Sequence, residues 1–446
     1  MGRKVFMSLL GVSFYAKCKY AKGNFTGSET PFIQKSLLEY LQQEEKWNEK
    51  DIALIFLTDL ARQENWSRDI KSRFCPKRQK QVPYVGLEKI LQDMGLPFKP
   101  ISIPEGRDTQ QMWEIFESIF EQLKEEDELF LDITNSFRYL PMLLLVLVNY
   151  AKMLKNVTVK AIYYGNYEAR DINSNVAPIM DLLPLSVLQD WTSATSDYLR
   201  YGQVDKLYDL SESSIIPILK DPSTRTNDVE LLRAFVNRLK NLADERITCR
   251  GKDIITNKNI GLLEQAAKDI QNVTIAQLKP VIEKIKESLD DFGARENILN
   301  CIKAAKWCCT NKMFQQATTL LEEGLLTFLC CYFHLDYKVV GYRNIMAQCI
   351  HIKTQTNAGN EDYTEKGDYT EIRGKILADS IIWGNKDFVS SLQSVIELRN
   401  DYNHAGFNQA PQNAKNIIHK VERLMDNIES SLWNISLSCK WIRDVR

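Results

Sequence analysis

Apolar residues follow two rhythms along this chain, and the change comes near residue 190. Before it, short apolar runs at 5–10, 52–57, 129–133 and 157–164 predict strands. Helical patterns lie between them at 31–43, 84–94, 109–124 and 140–154. Strands alternating with helices predict a mostly parallel sheet with helices on both faces, a Rossmann-like α/β domain over 1–190. After Pro184 strand signals vanish. Amphipathic segments at 228–246, 260–269, 275–292, 298–309, 314–333, 387–399 and 411–432 predict an all-helical second half. Within it, 191–295 reads as a helical linker region and 296–446 as the terminal domain. The polar stretch 354–368, with Gly359 and Gly367, reads as a surface loop.

Ligands of open parallel sheets bind where strands run out into loops. Polar and small residues gather at those points here. The first strand leads into Gly11 and Ser13, where a backbone can approach a ligand closely. The second ends at Thr58 and Asp59, with Asn65 and Trp66 just beyond. Trp66 suits either stacking on a base or packing in the core. The third ends in Asp132, Thr134, Asn135, Ser136 and Arg138, before an apolar helix starting near Leu140. Free N–H groups at such a helix start favour an anion, with Thr134, Asn135 and Ser136 as donors and Arg138 as a charge. A helix cap with Arg138 in a structural ion pair accounts for the same residues. The loop lacks GxGxxG, which argues against a dehydrogenase.

Composition narrows the choice. The 446 residues exceed one ordinary core, and 44% hydrophobic with 26% charged residues fits a soluble globular chain. A net charge of −1 excludes a global nucleic-acid footprint and leaves room for a local basic cleft. None of the ten cysteines forms a CxxC pair; Cys308–Cys309 and Cys330–Cys331 sit in apolar helical runs and read as small buried hydrophobes. Four histidines without clustered ligands predict no metal site. No signal peptide is visible and the longest apolar run, 140–148, is too short to span a bilayer, so a cytoplasmic protein is expected.

The most suggestive chemistry lies at 397–406, where Arg399, Asn400 and His404 follow a helical run. Metal-independent RNA cleavage needs a base for the ribose 2′-OH, a cation for the phosphate and an acid for the leaving oxygen. Histidine suits the proton transfers and arginine the phosphate clamp. Asn400 can hold a phosphate oxygen or orient His404. The substrate would be RNA, because DNA lacks the attacking hydroxyl. The spacing alone is common by chance, and a helix end with a dipole-complementing His404 fits the pair as well.

Taken together, the two halves resemble the CARF–HEPN proteins of the Csx class, ancillary ribonucleases of type III CRISPR systems. The resemblance rests on Met7 to Gly11 with Tyr15 and Tyr20, on Phe56 to Asp59 with Asn65 and Trp66, on Asp132 to Pro141, on Asp181 through Trp191, and on Arg399 to Gly406. It implies a CARF sensing domain that binds a cyclic oligoadenylate as allosteric activator, cyclic tetra-adenylate first and cyclic hexa-adenylate as the rival. It also implies a C-terminal HEPN domain, paired in a homodimer, that cuts single-stranded RNA with Arg399, Asn400 and His404. By position, Gly11, Ser13, Thr58, Asn65, Thr134, Asn135, Ser136 and Arg138 become activator contacts. The family often has glycine where Ser136 stands, and Asn135 is also unusual, so ring size and any self-cleavage of the activator stay open. A sensor that signals through a protein partner without catalysis is the alternative.

Overall fold

Buried side chains pointing to both sides mark the first strand, β1 (Lys4–Leu10): Val5, Met7 and Leu9 go to one face, Phe6 and Leu10 to the other. Such a strand must be covered on both faces. The chain continues through β2 (Lys19–Lys22), β3 (Phe25–Thr26), α1 (Ile33–Glu44), β4 (Ile52–Leu57) and the short α2 (Asp59–Ala61), which runs into a π-helical turn (Arg62–Trp66). Next come a hairpin, β5 (Ser72–Cys75) with β6 (Lys80–Pro83), then α3 (Leu87–Met94), β7 (Phe98–Ser102) and α4 (Thr109–Phe120). Strand β8 (Glu128–Asp132), α5 (Leu140–Lys155), β9 (Thr158–Gly165) and β10 (Val176–Asp181) complete the α/β part. The computed structural model describes residues 2–67, 69–76, 78–135, 139–220, 227–269, 278–289, 291–292, 295–354, 369–407 and 411–438.

Eight strands form one sheet in the order β3-β2-β10-β9-β8-β1-β4-β7. Its centre, β9-β8-β1-β4-β7, is parallel throughout. The chain starts at β1, steps outward through β4 and β7, then returns to the other side of β1 at β8. Strand order therefore reverses between β1 and β8, and a crevice opens at their carboxyl ends. Helices α1 and α3 cover one face through Ile33, Leu37, Leu38, Leu41, Leu87 and Leu91. Helices α4 and α5 cover the other through Ile115, Ile119, Leu143, Leu144, Leu147 and Val148. Each such fully buried aliphatic side chain contributes about 1.5–3 kcal/mol. The expected parallel sheet with two helical layers is thus observed.

Strands β7 and β10 do not stand out in the sequence. Each contains a proline, Pro100 and Pro178, which cannot donate to a ladder. At Pro178, β10 changes partner: residues up to it pair with β2, and those after it pair antiparallel with β9.

The chain divides into two compact units, Met1–Val187 and Leu188–Arg446. The second unit is helical. Helix Phe314–Tyr332 buries Ala317, Leu320, Leu321, Leu325, Phe328 and Leu329. It packs against helices Asn300–Thr310, Val340–Thr354 and Lys386–Asn403. Segment 191–295 falls within this same compact unit. Arg246, on helix Asn227–Ile247, shows why. Its buried guanidinium lies 4.5 Å from the Phe292 ring and 4.9 Å from that of Trp307. The two rings replace the water its charge has lost. Cys308, Cys309 and Cys330 are buried, and burial pushes their thiols up, to about 12 for Cys308 and about 11 for the other two. They pack as the small hydrophobes their setting predicts. The loop expected at 354–368 lies outside the described residues beyond Thr354. No described helix is long and apolar enough to cross a membrane.

Candidate functional site

A cavity of about 240 Å³ sits at the carboxyl ends of β1, β4, β7 and β8. Its lining includes Gly11 and Ser13 after β1, Thr58 after β4, and Thr134 and Asn135 after β8. Leu9, Ile103 and Leu140 add apolar wall. Five residues expected to contact a ligand therefore meet in one place. Ser136 and Arg138 lie outside the described residues.

Asn65 occupies a different position. The π-helical turn carries it inward until it is completely buried. Its Nδ2 donates to the carbonyls of Gly11 at 2.7 Å and Ser13 at 2.9 Å. Its Oδ1 accepts from Arg73 at 2.5 Å and from the Tyr84 hydroxyl at 2.9 Å. Every hydrogen-bonding position of the amide is taken, so Asn65 shapes the 11–13 loop and has nothing left for a ligand. Arg73 reinforces it, donating to the carbonyls of Ser13 at 3.0 Å and Val12 at 3.2 Å. With three successive carbonyls drawn to one side, the trans peptide turns the N–H groups of Val12, Ser13 and Phe14 the other way. Such a run of N–H groups suits an anion. Trp66 is buried against Phe98, with ring centroids 5.8 Å apart, and is a packing residue.

Space is tight at Gly11. A Cβ there would lie 2.6 Å from the Tyr15 hydroxyl and 3.5 Å from the Asn135 carbonyl oxygen. Thr58 caps α2, its side chain accepting from Ala61 N at 3.3 Å. The Thr134 hydroxyl accepts from Gly165 N at 2.8 Å, joining the ends of β8 and β9. Beneath the cavity, Asp132 is fully buried. It accepts from the Ser8 hydroxyl at 2.7 Å and from Thr134 N at 3.0 Å, and Gln34 donates to Ser8 at 3.0 Å. Burial raises the Asp132 carboxyl above its ordinary value, opposed by the bonds from Thr134 and Ser8. Ser8 and Asp132 are register partners in β1 and β8, so this buried pair marks the crevice floor.

In the helical unit, Arg399 and Asn400 lie on helix Lys386–Asn403 and His404 is its C-cap. Five positions along a helix put two side chains roughly 140° apart. Arg399 accordingly turns towards helix Phe314–Tyr332, where its Nε lies 3.6 Å from Glu322 Oε2. Burial pushes the Glu322 carboxyl up, and Arg399 draws it back. Asn400 and His404 are exposed and joined through the backbone, His404 N donating to Asn400 O at 3.0 Å. Among the described residues, then, Arg399 pairs with Glu322 and makes no contact with His404. The turn after them holds Ala405 and Gly406 at positive φ, 51° and 74°.

Sequence reasoning misses Arg73 and Glu322. Arg73 stands in a hairpin outside the sheet, and nothing local announces its role. Glu322 and Glu323 are the two charged residues of helix Phe314–Tyr332 and sit between apolar Leu320–Leu321 and Leu325–Leu326, which is a usable signal.

Two comparisons bear on these sites. Residues 5–168 match the family described as CRISPR system endoribonuclease Csx1, CARF domain. The matched span holds every residue lining the strand-end cavity and ends well before Arg399. The chain is also 26% identical over 350 residues to the CRISPR-associated protein MJ1674 of Methanocaldococcus jannaschii. That similarity covers 73% of this chain and 50% of the relative, so the chain spans about half the relative's length.

Proposed function

We propose that this protein is a cyclic-oligoadenylate-activated, metal-independent endoribonuclease for single-stranded RNA, acting in type III CRISPR defence. One observation carries the reading: a cavity at the switch point of a CARF-like sheet shares a chain with an Arg399–His404 pair. The cavity offers what a ring of phosphodiesters needs: N–H groups freed by Asn65 and Arg73, the Thr58 and Thr134 side chains, and no bulk at Gly11. The ring is cyclic tetra-adenylate or, second, cyclic hexa-adenylate. Both have twofold symmetry and fit a homodimer with the cavities at its axis.

In the helical unit, His404 takes the 2′-OH proton and returns one to the leaving 5′-oxygen. Arg399 clamps the phosphate as charge builds, and Asn400 donates to a phosphate oxygen. The divergence of Arg399 and His404 favours a composite centre, in which a second chain turns its own pair towards the first. Arg399 must also leave Glu322. Activation therefore requires the ring to bind the cutting-competent dimer more tightly than the resting one.

The test uses fluorescent single-stranded RNA in chelator, with and without each ring. Cutting should appear with one ring only. His404→Ala should lower the rate by at least about 100-fold, the contribution of a general acid–base group, and leave ring affinity by calorimetry unchanged. A His404→Ala protein that cuts as the wild type does would refute the assignment.

The pairing of Arg399 with Glu322 favours a second reading, in which these residues are structural and the protein is a sensor signalling through a protein partner. Ring binding without RNA cleavage under every condition above supports it.

A further inference from the structure

The helical unit has a second concavity, of about 450 Å³, between helices Lys386–Asn403 and Ala414–Ser438. Its walls differ from the strand-end cavity in chemistry. Asn416, His419, Lys420 and Arg423 line it from one helix, and Ser390 and Ser394 face them from the other. The spacing 416, 419/420, 423 keeps these groups on a single helical face. Arg423 has no counter-ion among the described residues. Lys420 reaches Glu397 only at 3.5 Å, and His419 reaches Glu422 at 3.6 Å. On a chain of net charge −1, this is a local concentration of cations beside hydroxyls and amides.

The groove also adjoins the Arg399–His404 segment. Gln412, on its rim, is tied by its backbone N–H to the buried Asp401 carboxylate at 3.4 Å. Glu397, which Lys420 approaches, stands two residues before Arg399. Seven residues apart, Ser394 and Asp401 share a face of helix Lys386–Asn403, so the groove reaches the helix end that carries His404.

We propose that this groove is a track for the sugar–phosphate backbone of single-stranded RNA. Lys420 and Arg423 contact phosphates, and the serines and Asn416 contact phosphate or ribose oxygens. Leu424 is the apolar residue of the lining, so the groove lacks the apolar centre of a stable subunit interface and offers no stacking platform for bases. Recognition here is of backbone, independent of sequence. The proposal rests on the ribonuclease reading above, and its test lets the two fail separately.

Full-length His404→Ala protein is titrated with labelled oligo-U and oligo-A at several salt concentrations. The same titration follows for Lys420→Gln with Arg423→Gln in that background. Affinity should fall roughly tenfold, alike for both oligomers, and the slope of log affinity against log salt should drop by about 1.4 for two lost phosphate contacts. Lys420→Arg should keep both. In the cleaving protein the double variant should raise KM with kcat retained. Unchanged affinity and slope, or no RNA binding by the His404→Ala protein, overturns the track. So does a double variant that turns dimers into monomers with affinity per site intact, because the groove is then a contact between copies. RNA binding that depends on Lys420 and Arg423, without cleavage by the wild type, keeps the track and removes the ribonuclease reading.

Discussion

At Gly11 a hydrogen leaves room for the Tyr15 hydroxyl, which a methyl group would force to shift. Gly11→Ala should destabilise the α/β unit by about 1–3 kcal/mol, the usual cost of overpacking, and weaken the proposed ring binding by calorimetry. Adding Tyr15→Phe removes the colliding oxygen and should recover part of that loss, a non-additivity a double-mutant cycle resolves. Asp132 carries a different prediction. Burial holds its folded carboxyl above the unfolded value of about 3.9, so the unfolded chain releases its proton first as pH rises. The folded state loses stability from about pH 4 up through the raised value and keeps the full penalty above it. Asp132→Asn does not titrate. Its stability relative to the wild type should therefore improve across that window and level off beyond it, as denaturant melts at a series of pH values would record. A constant difference at all pH values would rule out the buried charge as the cause.

Helix α5 joins two roles. Its first turn follows the β8 loop at the cavity, and its body presents Met142, Val146, Tyr150 and Met153 to solvent. These lie one turn apart and form a single stripe, with Met142 and Met153 each 74% exposed. An apolar stripe of that length beside the strand-end cavity suits the proposed homodimer, with two α/β units paired through α5. Val146→Glu should convert dimers into monomers in sedimentation and abolish activated cleavage. A variant that stays dimeric would move the interface elsewhere. How much of this is legible in the sequence depends on the element. The runs at 5–10, 52–57, 129–133 and 157–164 announce strands because both their faces are buried, which makes them continuously apolar. Strand β2 is too short to build a rhythm, and β7 and β10 are broken by proline. The cavity residues Gly11, Ser13, Thr58, Thr134 and Asn135 are legible because a strand end is itself a place in the fold. The role of Asn65 is not, because its four partners come from three separate segments and only folding assembles them.

For the molecule as a whole, the strand-end cavity and the Arg399–His404 pair lie in different compact units, so the proposed function requires a signal to pass from one to the other through a change both can feel. On the proposed reading a dimer would supply such a change without a wire inside one chain: a ring held between two cavities would alter how the helical pair meets. The sheet itself limits how two chains can come together. Its outermost strands are β3, only two residues long, and β7, which carries Pro100. The brevity of β3 and the donor missing at Pro100 leave only short, broken rows of free backbone groups at the two edges, which disfavours extension of the ladder by a strand from outside. The same feature guards against edge-to-edge aggregation and favours helices as the surfaces for the proposed pairing of two α/β units. Anything that rotates α5 about its axis would then be felt at once by the cavity at its first turn.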